Sequence, residues 1–244
     1  MNWEDRKKVY NSDYYDGELE NHYREWWWTD LSVWFPRAMV VKEAFLPQKV
    51  LDCGCAKGSL VKFLRSYNIE SHGFDLSEYA INATPFPEIK PFLFVLDCAE
   101  NDIPFADNFF DVVCCFDILE HNDDDHLPLV INRIARVSKK HILIRQPFYN
   151  FPDNNIVEFN KAMRNKPLIE RWSELRHWGA AKLKVETDNI EHPNTIEREY
   201  LISLVSGFKE VFLNPVYYDI LMGSDLDKCV PVLPFYETIV LERI

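Results

Sequence analysis

The fold is decided by the stretch VLDCGCAKGSL (Val50–Leu60). Its apolar start predicts a buried β-strand over Lys49–Cys53, and the pattern that follows predicts a helix beginning at Gly58. Between the two, small residues such as Gly54 and Ala56 allow a tight turn and a close approach of the backbone to a ligand. The stretch is typical of a strand–loop–helix unit that binds a nucleotide-like cofactor at the end of a central strand.

Short apolar runs alternate with helical patterns along much of the chain. Strands are predicted, after the first one, at His72–Asp75, Phe92–Leu96, Phe110–Phe116, His141–Ile144, Val211–Leu221 and Phe235–Glu242. This alternation predicts an α/β fold with a doubly wound, mostly parallel, Rossmann-like sheet of seven strands. The last two runs predict an antiparallel pair at the edge of the sheet, with a helix at about Ile196–Ser206 before them.

Two stretches interrupt the alternation. Residues 1–45 are polar and aromatic, and they predict an N-terminal helical cap, or lid, with helices at Leu19–Trp28 and Leu31–Ala44. Residues 147–194, after strand five, have no clean period, and because a structureless loop of that length is unusual we expect an insert of short helices that covers a site. The length of 244 residues fits one α/β domain, so a single domain over residues 1–244 is expected.

The composition of the chain disfavours some classes of binding partner and favours one cellular compartment. The net charge of -12 argues against broad binding to a phosphate backbone, which needs an excess of Lys and Arg. The six cysteines form no pair of CxxC motifs and lie mostly in apolar runs, which indicates buried thiols in a reducing compartment. Neither a signal-peptide pattern nor an apolar run of membrane length is visible, so we expect a cytoplasmic protein with no membrane partner.

An acid follows the second predicted strand. Asp75 lies 23 positions after Asp52 (75 − 52), where a carboxylate can accept hydrogen bonds from both hydroxyls of a ribose. An acid at that strand end is expected to lack a protein partner in the absence of ligand. The glycine pattern differs from the dinucleotide fingerprint GxGxxG, because Gly58 comes one position early and Ala56 replaces the middle glycine. A nicotinamide dinucleotide remains an alternative at this point.

Four motifs together resemble those of class I S-adenosylmethionine (SAM)-dependent methyltransferases of the small-molecule type (methyltransferase-11/23-like). They are VLDCGCAKGSL (50–60), GFDLSEYAI (73–81), VLDCAENDIPFADNFFDVV (95–113) and CFDILEH (115–121). The resemblance covers roughly residues 45–146 closely and the rest loosely. It implies methyl transfer with SAM as cofactor and S-adenosylhomocysteine as product.

The resemblance also implies a set of cofactor-binding residues: Asp52, Gly54, Ala56, Lys57, Gly58, Asp75, Leu76, Asp97, Cys98, Asp117 and Tyr14. By the match, Asp75 binds the ribose, and Asp97 binds the adenine amino group. The backbone N–H of Cys98 contacts the ring, and Asp117 lies near the methionine end. Tyr14 stands where family members place a residue that closes over SAM.

The methyl-transfer chemistry directs attention to His121 and His177 as catalytic candidates. Methyl transfer needs an aligned acceptor and, for a hydroxyl acceptor, a group that takes its proton. His121 follows Asp117 and Glu120 in a spacing that resembles a divalent metal motif, so three interpretations stay open: a general base, a metal site, and a structural or cofactor-orienting turn. His177, in the predicted insert, is a second candidate base or ligand, or a ring packed beside tryptophans. A metal is not expected, although these four residues are the candidates for one.

Several N-terminal residues also have open roles. Tyr10 and Tyr15 share the predicted lid with Tyr14. Two interpretations of the run Trp26–Trp28 stay open: its rings stack on an aromatic or sugar substrate, or they pack a helix on the sheet. Arg24 and Arg37 are alternative partners for the SAM carboxylate.

The most favoured acceptor is a small polar metabolite that is O-methylated, such as a sugar, a surface-polysaccharide unit or a natural-product intermediate. A lid and a sizeable insert suit an enclosed substrate. Methylation of RNA or a tRNA base is an alternative, because residues 161–184 carry a basic stretch, although interspersed acids favour a solvated face. N-methylation of a small molecule and a non-catalytic SAM-binding role are further alternatives, and the oligomeric state is left open.

Overall fold

A seven-stranded sheet organises the part of the chain that the structure describes. The structure is a computed structural model, and it describes residues 6–16, 31–147, 196, 198–214, 217, 220–221 and 236–244. The strands are β1 (Lys49–Cys53), β2 (Glu70–Asp75), β3 (Leu93–Val95), β4 (Phe110–Phe116), β5 (Ser138–Pro147), β6 (Phe208–Val211) and β7 (Tyr236–Arg243). Their order is β3-β2-β1-β4-β5-β7-β6. Strands β1 to β5 pair in parallel, and β7 runs antiparallel to both β5 and β6.

Helices cover both faces of this sheet. In the described ranges they are α1 (Arg6–Val9), α2 (Ser12–Asp16), α3 (Leu31–Phe45), α4 (Ser59–Ser66), α5 (Glu78–Asn82), α6 (Leu127–Val137) and α7 (Arg198–Leu204). Two 3-10 turns lie at Pro87–Phe92 and Leu119–His121. None of the helices within the described ranges is both long enough and apolar enough to cross a bilayer.

The core lies on the two sides of the central strands. All seven residues of β4 are buried, and neighbours along it point to opposite faces. Cys114 joins the cluster that contains residues of α3 and α4, whereas Cys115 joins the cluster that contains residues of α6 and α7. This two-sided packing places the carboxyl ends of β1, β2 and β4 at one edge of the sheet, away from α3, α4, α6 and α7.

The predicted fold class is confirmed, and the bounds of β1 and β4 agree with the prediction. The prediction of a strand over Val211–Leu221 is wrong. Strand β6 ends at Val211, where that prediction began, and residues 217, 220 and 221 are helical. Gly207, with a φ of 79°, turns the chain directly into β6 after α7.

An antiparallel pair at the edge of the sheet was predicted; the structure adds that β6 is the outermost strand and that β7 lies between β6 and β5. The predicted helix at Leu31–Ala44 corresponds to α3. The predicted helix at Leu19–Trp28 and almost all of the predicted insert lie outside the described residues. The division into one domain, cap and insert therefore stays a prediction.

Gly73 of β2 supports a packing prediction, because a side chain has no room there. A Cβ at this position would lie 2.7 Å from Cβ of Cys55 and 2.8 Å from its Sγ. Gly73→Ala is expected to lower the free energy of unfolding by about 1–3 kcal/mol, since a short, buried side chain cannot move aside. Urea unfolding followed by circular dichroism measures this loss.

Gly207→Ala is the matched control. It meets no atom within 4 Å, so it changes only the strain of a positive φ, worth about 1–2 kcal/mol. A Gly73→Ala protein as stable as the wild type would contradict the close packing of β2 against the loop after β1.

Candidate active site

A cleft opens where β1, β2 and β4 end. It encloses about 1040 Å³ of empty space, part of which is open to solvent. The carboxyl ends of strands in a parallel sheet form such a crevice where the connections leave in opposite directions. Of the predicted site residues, the cleft is lined by Tyr14, Gly54, Ala56, Asp75, Leu76, Asp97, Cys98, Asp117 and His121.

The loop after β1 shapes one wall of the cleft through left-handed backbone. Gly54, Ala56 and Gly58 have φ values of 68°, 47° and 85°. A Cβ on Gly54 would lie 3.2 Å from the side chain of Ile118, so the glycine lets the loop approach the turn after β4. Gly58 does not line the cleft; a Cβ there would lie 2.8 Å from Leu93, which indicates a role in packing α4 against β3.

Asp75 is a buried carboxylate with three hydrogen-bond donors. The backbone N–H of Ala56 donates to its Oδ2 at 2.8 Å, and the backbone N–H of Ser77 donates to its Oδ1 at 2.8 Å. The hydroxyl of Tyr15 also donates to Oδ1, at 3.3 Å. The expectation that this acid lacks a protein partner is therefore wrong. Burial raises the pKa of Asp75, and the three hydrogen bonds oppose that rise.

Asp52 lies beneath the loop and does not line the cleft. Its side chain is buried, and burial, followed by the nearby Asp75 charge, raises its pKa well above the usual range. The Arg37 guanidinium opposes this rise in pKa. Arg37 is itself fully buried and donates from Nε to the carbonyl of Leu221 at 3.3 Å. Arg24, the alternative cation, lies outside the described residues.

Lys57 does not line the cleft; it binds the N-terminal segment, residues 6–16. Its ammonium forms an ion pair with Asp16 of α2, and its carbonyl accepts from the hydroxyl of Thr84 at 2.8 Å. The hydroxyl of Tyr79 donates to the other oxygen of Asp16 at 2.5 Å. Although burial raises the pKa of Asp16, the hydrogen bonds from Lys57 and Tyr79 bring it below its usual value. Asp16 therefore stays charged and holds α2 against the loop after β1.

Asp97 and Cys98 form the wall after β3. The Oδ1 of Asp97 accepts from the backbone N–H of Ala99 at 3.1 Å, which fixes the carboxylate at the start of a turn. The carbonyl of Cys98 accepts from Arg133 of α6 at 2.7 Å. Burial raises the pKa of the Cys98 thiol to about 12, so that it stays protonated and acts as a small apolar group.

The three residues of the acid-x-x-Glu-His motif, in the turn after β4, have different contacts. Asp117, at a φ of 57°, donates its backbone N–H to the carbonyl of Arg145 at 2.7 Å and forms an ion pair with the Arg145 guanidinium. Glu120 is 1% exposed, and burial, with Asp117 next, raises its pKa well above the usual range. His121 is half-buried, and its Nδ1 lies 3.0 Å from the hydroxyl of Tyr10.

No group of three His, Cys, Asp or Glu residues suited to a metal ion occurs within the described ranges. Of the four metal candidates, Asp117 takes a guanidinium as its counter-ion, and Glu120 is buried beneath it. His177, the second catalytic candidate, lies outside the described residues.

The N-terminal segment, residues 6–16, covers one side of the cleft. Tyr10, Tyr14 and Tyr15 all line it, with ring centroids 5.1 Å apart for Tyr10 and Tyr14 and 5.0 Å apart for Tyr14 and Tyr15. Both pairs adopt the edge-to-face geometry that aromatic rings prefer. Ser77 donates its hydroxyl to the carbonyl of Tyr10 at 2.5 Å. The segment is thus held to the cleft by contacts on several elements.

Sequence reasoning missed one charged residue of the cleft. Arg145 lies near the end of β5, is 5% exposed and lines the cleft beside Asp117. Its signal in the sequence was a single cation at the end of the apolar run HILI. The side chains of Trp34 and Ile118 also line the cleft and had no separate signal.

Comparisons with known proteins agree with this geometry. Residues 51–143 match the family model described as "Methyltransferase domain". No curated protein matches the sequence significantly. Among solved structures, the chain resembles a 1,6-didemethyltoxoflavin-N1-methyltransferase from Burkholderia thailandensis, with a TM-score of 0.59 and 14% identity over 97% of this chain and 86% of that one.

Two further structures resemble the chain to a similar degree. The PH0226 protein from Pyrococcus horikoshii OT3 has a TM-score of 0.54 and 16% identity, covering 97% of this chain and 95% of that one. The methyltransferase domain of the bacterial CtHen1-C has a TM-score of 0.53 and 17% identity, covering 88% of this chain and 99% of that one. At such identities these likenesses establish the fold.

The matching segment, 51–143, contains most of β1, all of β2 to β4, the loop after β1 and the turn after β4, so the walls of the cleft that these elements form lie in the matching segment. Residues 51–143 therefore match a methyltransferase domain, which agrees with the predicted class I SAM-dependent methyltransferase family, the predicted methyltransferase activity and SAM as the predicted cofactor.

The ion pair between Arg145 and Asp117 supports a stability prediction. Arg145→Met leaves the Asp117 carboxylate beside the buried Glu120 without its cation, which is expected to lower the free energy of unfolding by about 1–3 kcal/mol. The double variant Asp117→Asn/Arg145→Met removes both charges and is expected to regain much of that loss. Urea titrations of the three proteins measure both effects.

Lys62→Met serves as the control, because it removes one partner of an exposed ion pair with Glu88. It is expected to change the unfolding midpoint little. If the double variant were no more stable than Arg145→Met, the loss would come from packing of the arginine side chain, and the charge argument would be wrong.

Proposed function

We propose that the chain transfers the methyl group of SAM to an oxygen of a small polar metabolite. The observation that carries this proposal is the arrangement of acids in one cleft: Asp75 at the end of β2 and Asp97 after β3 line it together with Gly54 and Ala56 of the loop after β1. An adenosine placed across these strand ends meets an acid for its ribose and an acid for its adenine amino group. SAM supplies a methyl group on a positively charged sulfur when it is bound.

Asp75 fits the ribose with one adjustment. A carboxylate has about four acceptor positions, and protein donors use three of them. One position is left for a ribose hydroxyl, and a second becomes available if Tyr15 moves away. The Tyr15 contact is the longest of the three at 3.3 Å, so it is the one that the cofactor displaces most easily.

The remaining predicted cofactor residues divide into two groups. Gly54, Ala56, Leu76 and Cys98 line the cleft, and we propose that their backbone and apolar atoms contact the cofactor. Asp52, Lys57 and Gly58 do not line it, and the other contacts of these residues support the shape of the loop. We assign these three an indirect role.

The other end of the cleft is suited to the acceptor. Asp117, His121 and Arg145 line it together with Tyr10 of the N-terminal segment. We propose that the Asp117 side chain faces the methionine part of SAM, and that His121 takes part in removing the acceptor proton. The ion pair with Arg145 and the burial of Glu120 support a reaction without a metal.

The walls of the cleft favour a small acceptor over a nucleic acid. Aromatic side chains close one side, and the net charge of the whole chain is -12, which disfavours a phosphate backbone. The basic residues at 161–184 that support the RNA alternative lie outside the described residues. Methylation of nitrogen stays an alternative, since the similar Burkholderia thailandensis protein is an N1-methyltransferase. The cytoplasmic location also stays a prediction.

The acceptor class is tested with tritium-labelled SAM, in which the label is on the methyl group. Purified protein is incubated with a cell extract that has been separated into small molecules, RNA and protein, and the labelled fraction is identified. Label in the small-molecule fraction that is stable to ribonuclease is the expected result. Label in RNA would support the alternative, and absence of transfer with intact binding of S-adenosylhomocysteine would favour a non-catalytic role.

Asp75→Asn tests the cofactor assignment. It replaces a charged acceptor of the ribose by a neutral amide, so we expect the Kd for S-adenosylhomocysteine to rise more than about tenfold, or about 1.4 kcal/mol. Isothermal titration calorimetry measures this change directly.

Asp111→Asn is the matched control, because Asp111 is a buried acid at the opposite end of β4, where it accepts from the backbone N–H groups of Gln48 and Lys49 at 2.9 and 3.1 Å. It is expected to lower stability while leaving the Kd unchanged. An unaltered Kd in a folded Asp75→Asn protein would contradict the ribose assignment.

A further inference from the structure

The hydrogen bond between Tyr10 and His121 joins the N-terminal segment to the candidate catalytic histidine. The Tyr10 hydroxyl lies 3.0 Å from Nδ1 of His121, and the two rings meet edge to face with centroids 5.7 Å apart. The residues are 111 positions apart in sequence, and both line the cleft. The contact therefore exists only when the segment lies on the cleft.

The segment is positioned by contacts at Tyr10 and at the residues that follow it. The hydroxyl of Ser77 donates to the backbone carbonyl of Tyr10 itself, and Tyr15 donates to Asp75. Farther along, Asp16 is held by Lys57 and by the hydroxyl of Tyr79. These contacts place the phenol of Tyr10 at a defined position beside the imidazole.

The acidity of the two groups indicates which one donates. A phenol O–H, with an ordinary pKa of about 10, is more acidic than the N–H of a neutral imidazole. The unprotonated ring nitrogen, whose protonated form has an ordinary pKa of about 6.5, is also more basic than the phenol oxygen, so the favoured neutral pair has the tyrosine O–H donating to Nδ1. The proton of the neutral ring then lies on Nε2. A ring in that tautomer cannot accept a proton at Nε2, but it can accept the proton of Tyr10 at Nδ1.

We propose that Tyr10 is the catalytic base that contacts the acceptor, and that His121 accepts the proton from Tyr10. This inference rests on the proposed function and deepens it. The acceptor oxygen forms a bond to the methyl carbon, and the electrons of the carbon–sulfur bond go to sulfur. The acceptor proton passes to the oxygen of Tyr10 while the proton of Tyr10 passes to Nδ1 of His121, which leaves an imidazolium ring.

This arrangement links catalysis to the position of the N-terminal segment. His121 belongs to the turn after β4, whereas Tyr10 is supplied by residues 6–16. Since Ser77, whose backbone N–H donates to Asp75, also holds the carbonyl of Tyr10, the proton relay is complete only when the segment lies over the cofactor side of the cleft. Methyl transfer is thereby restricted to the covered state.

Tyr10→Phe is the first test. Removal of the hydroxyl is expected to lower kcat about 10²-fold, the effect of losing a positioned base, with little change in the KM for SAM or in the Kd for S-adenosylhomocysteine. Tyr79→Phe is the matched control, because it also removes one hydroxyl that holds the segment, through Asp16, but does not line the cleft. Its kcat is expected to stay within about twofold of the wild type. Equal losses of kcat in the two variants would show that the segment has only been loosened, and would overturn the relay.

The second test needs no acceptor and so separates this inference from the proposed function. Nuclear magnetic resonance of ¹⁵N-histidine-labelled protein, with His121 assigned by comparison with His121→Asn, reports the tautomer of the ring. The expected result is a ring protonated at Nε2 that becomes a mixture of tautomers in Tyr10→Phe. A wild-type ring protonated at Nδ1, or a spectrum of His121 that is the same in Tyr10→Phe, would overturn the relay even if methyl transfer is confirmed.

Discussion

The Asp75 carboxylate joins three separate parts of the chain at one point. Through Ala56 it holds the loop after β1, through Ser77 it holds the start of α5, and through Tyr15 it holds the N-terminal segment. The left-handed backbone of Ala56 carries a penalty of about 1–2 kcal/mol, which a hydrogen bond to a charged acceptor is strong enough to offset. Ser77 in turn accepts from the backbone N–H of Ala80 at 3.1 Å and so caps α5. The shape of the cleft depends on this one buried acid.

Much of the sheet could be predicted because burial on two faces leaves a direct mark on the sequence. Strand β4 reads FDVVCCF, a continuous apolar run with one acid near its start, and its bounds were predicted correctly. The run after Val211 is also largely apolar, yet residues 212–214 form no strand and residues 217, 220 and 221 are helical. Apolar content alone does not distinguish a short strand from a buried helical turn, and the left-handed Gly207 decides where β6 begins.

The lining of the cleft was harder to predict, because the residues and contacts that the sequence did not reveal join elements far apart along the chain. Arg145 reaches Asp117 because β4 and β5 pair in parallel with Phe116 opposite Arg145, a register that no local pattern contains. The hydrogen bond from Tyr10 to His121 likewise depends on how the N-terminal segment lies on the sheet. The glycine-rich loop could be located from sequence, but the packing of Gly58 against Leu93, away from the cleft, depends on the neighbouring elements.

The backbone at Asp117 determines the course of the turn that contains the acid-x-x-Glu-His motif. A φ of 57° ends β4 abruptly and brings the carboxylate to Arg145, and the 3-10 turn that follows buries Glu120 beneath the surface. The three side chains of the motif therefore have three different environments, and His121 is the one that meets the N-terminal segment. Under the proposed function, the acceptor meets an acid that Arg145 has already neutralised and a hydroxyl–imidazole pair. Such a surface offers hydrogen bonds without net charge, which suits an uncharged polar acceptor better than a phosphate or a carboxylate.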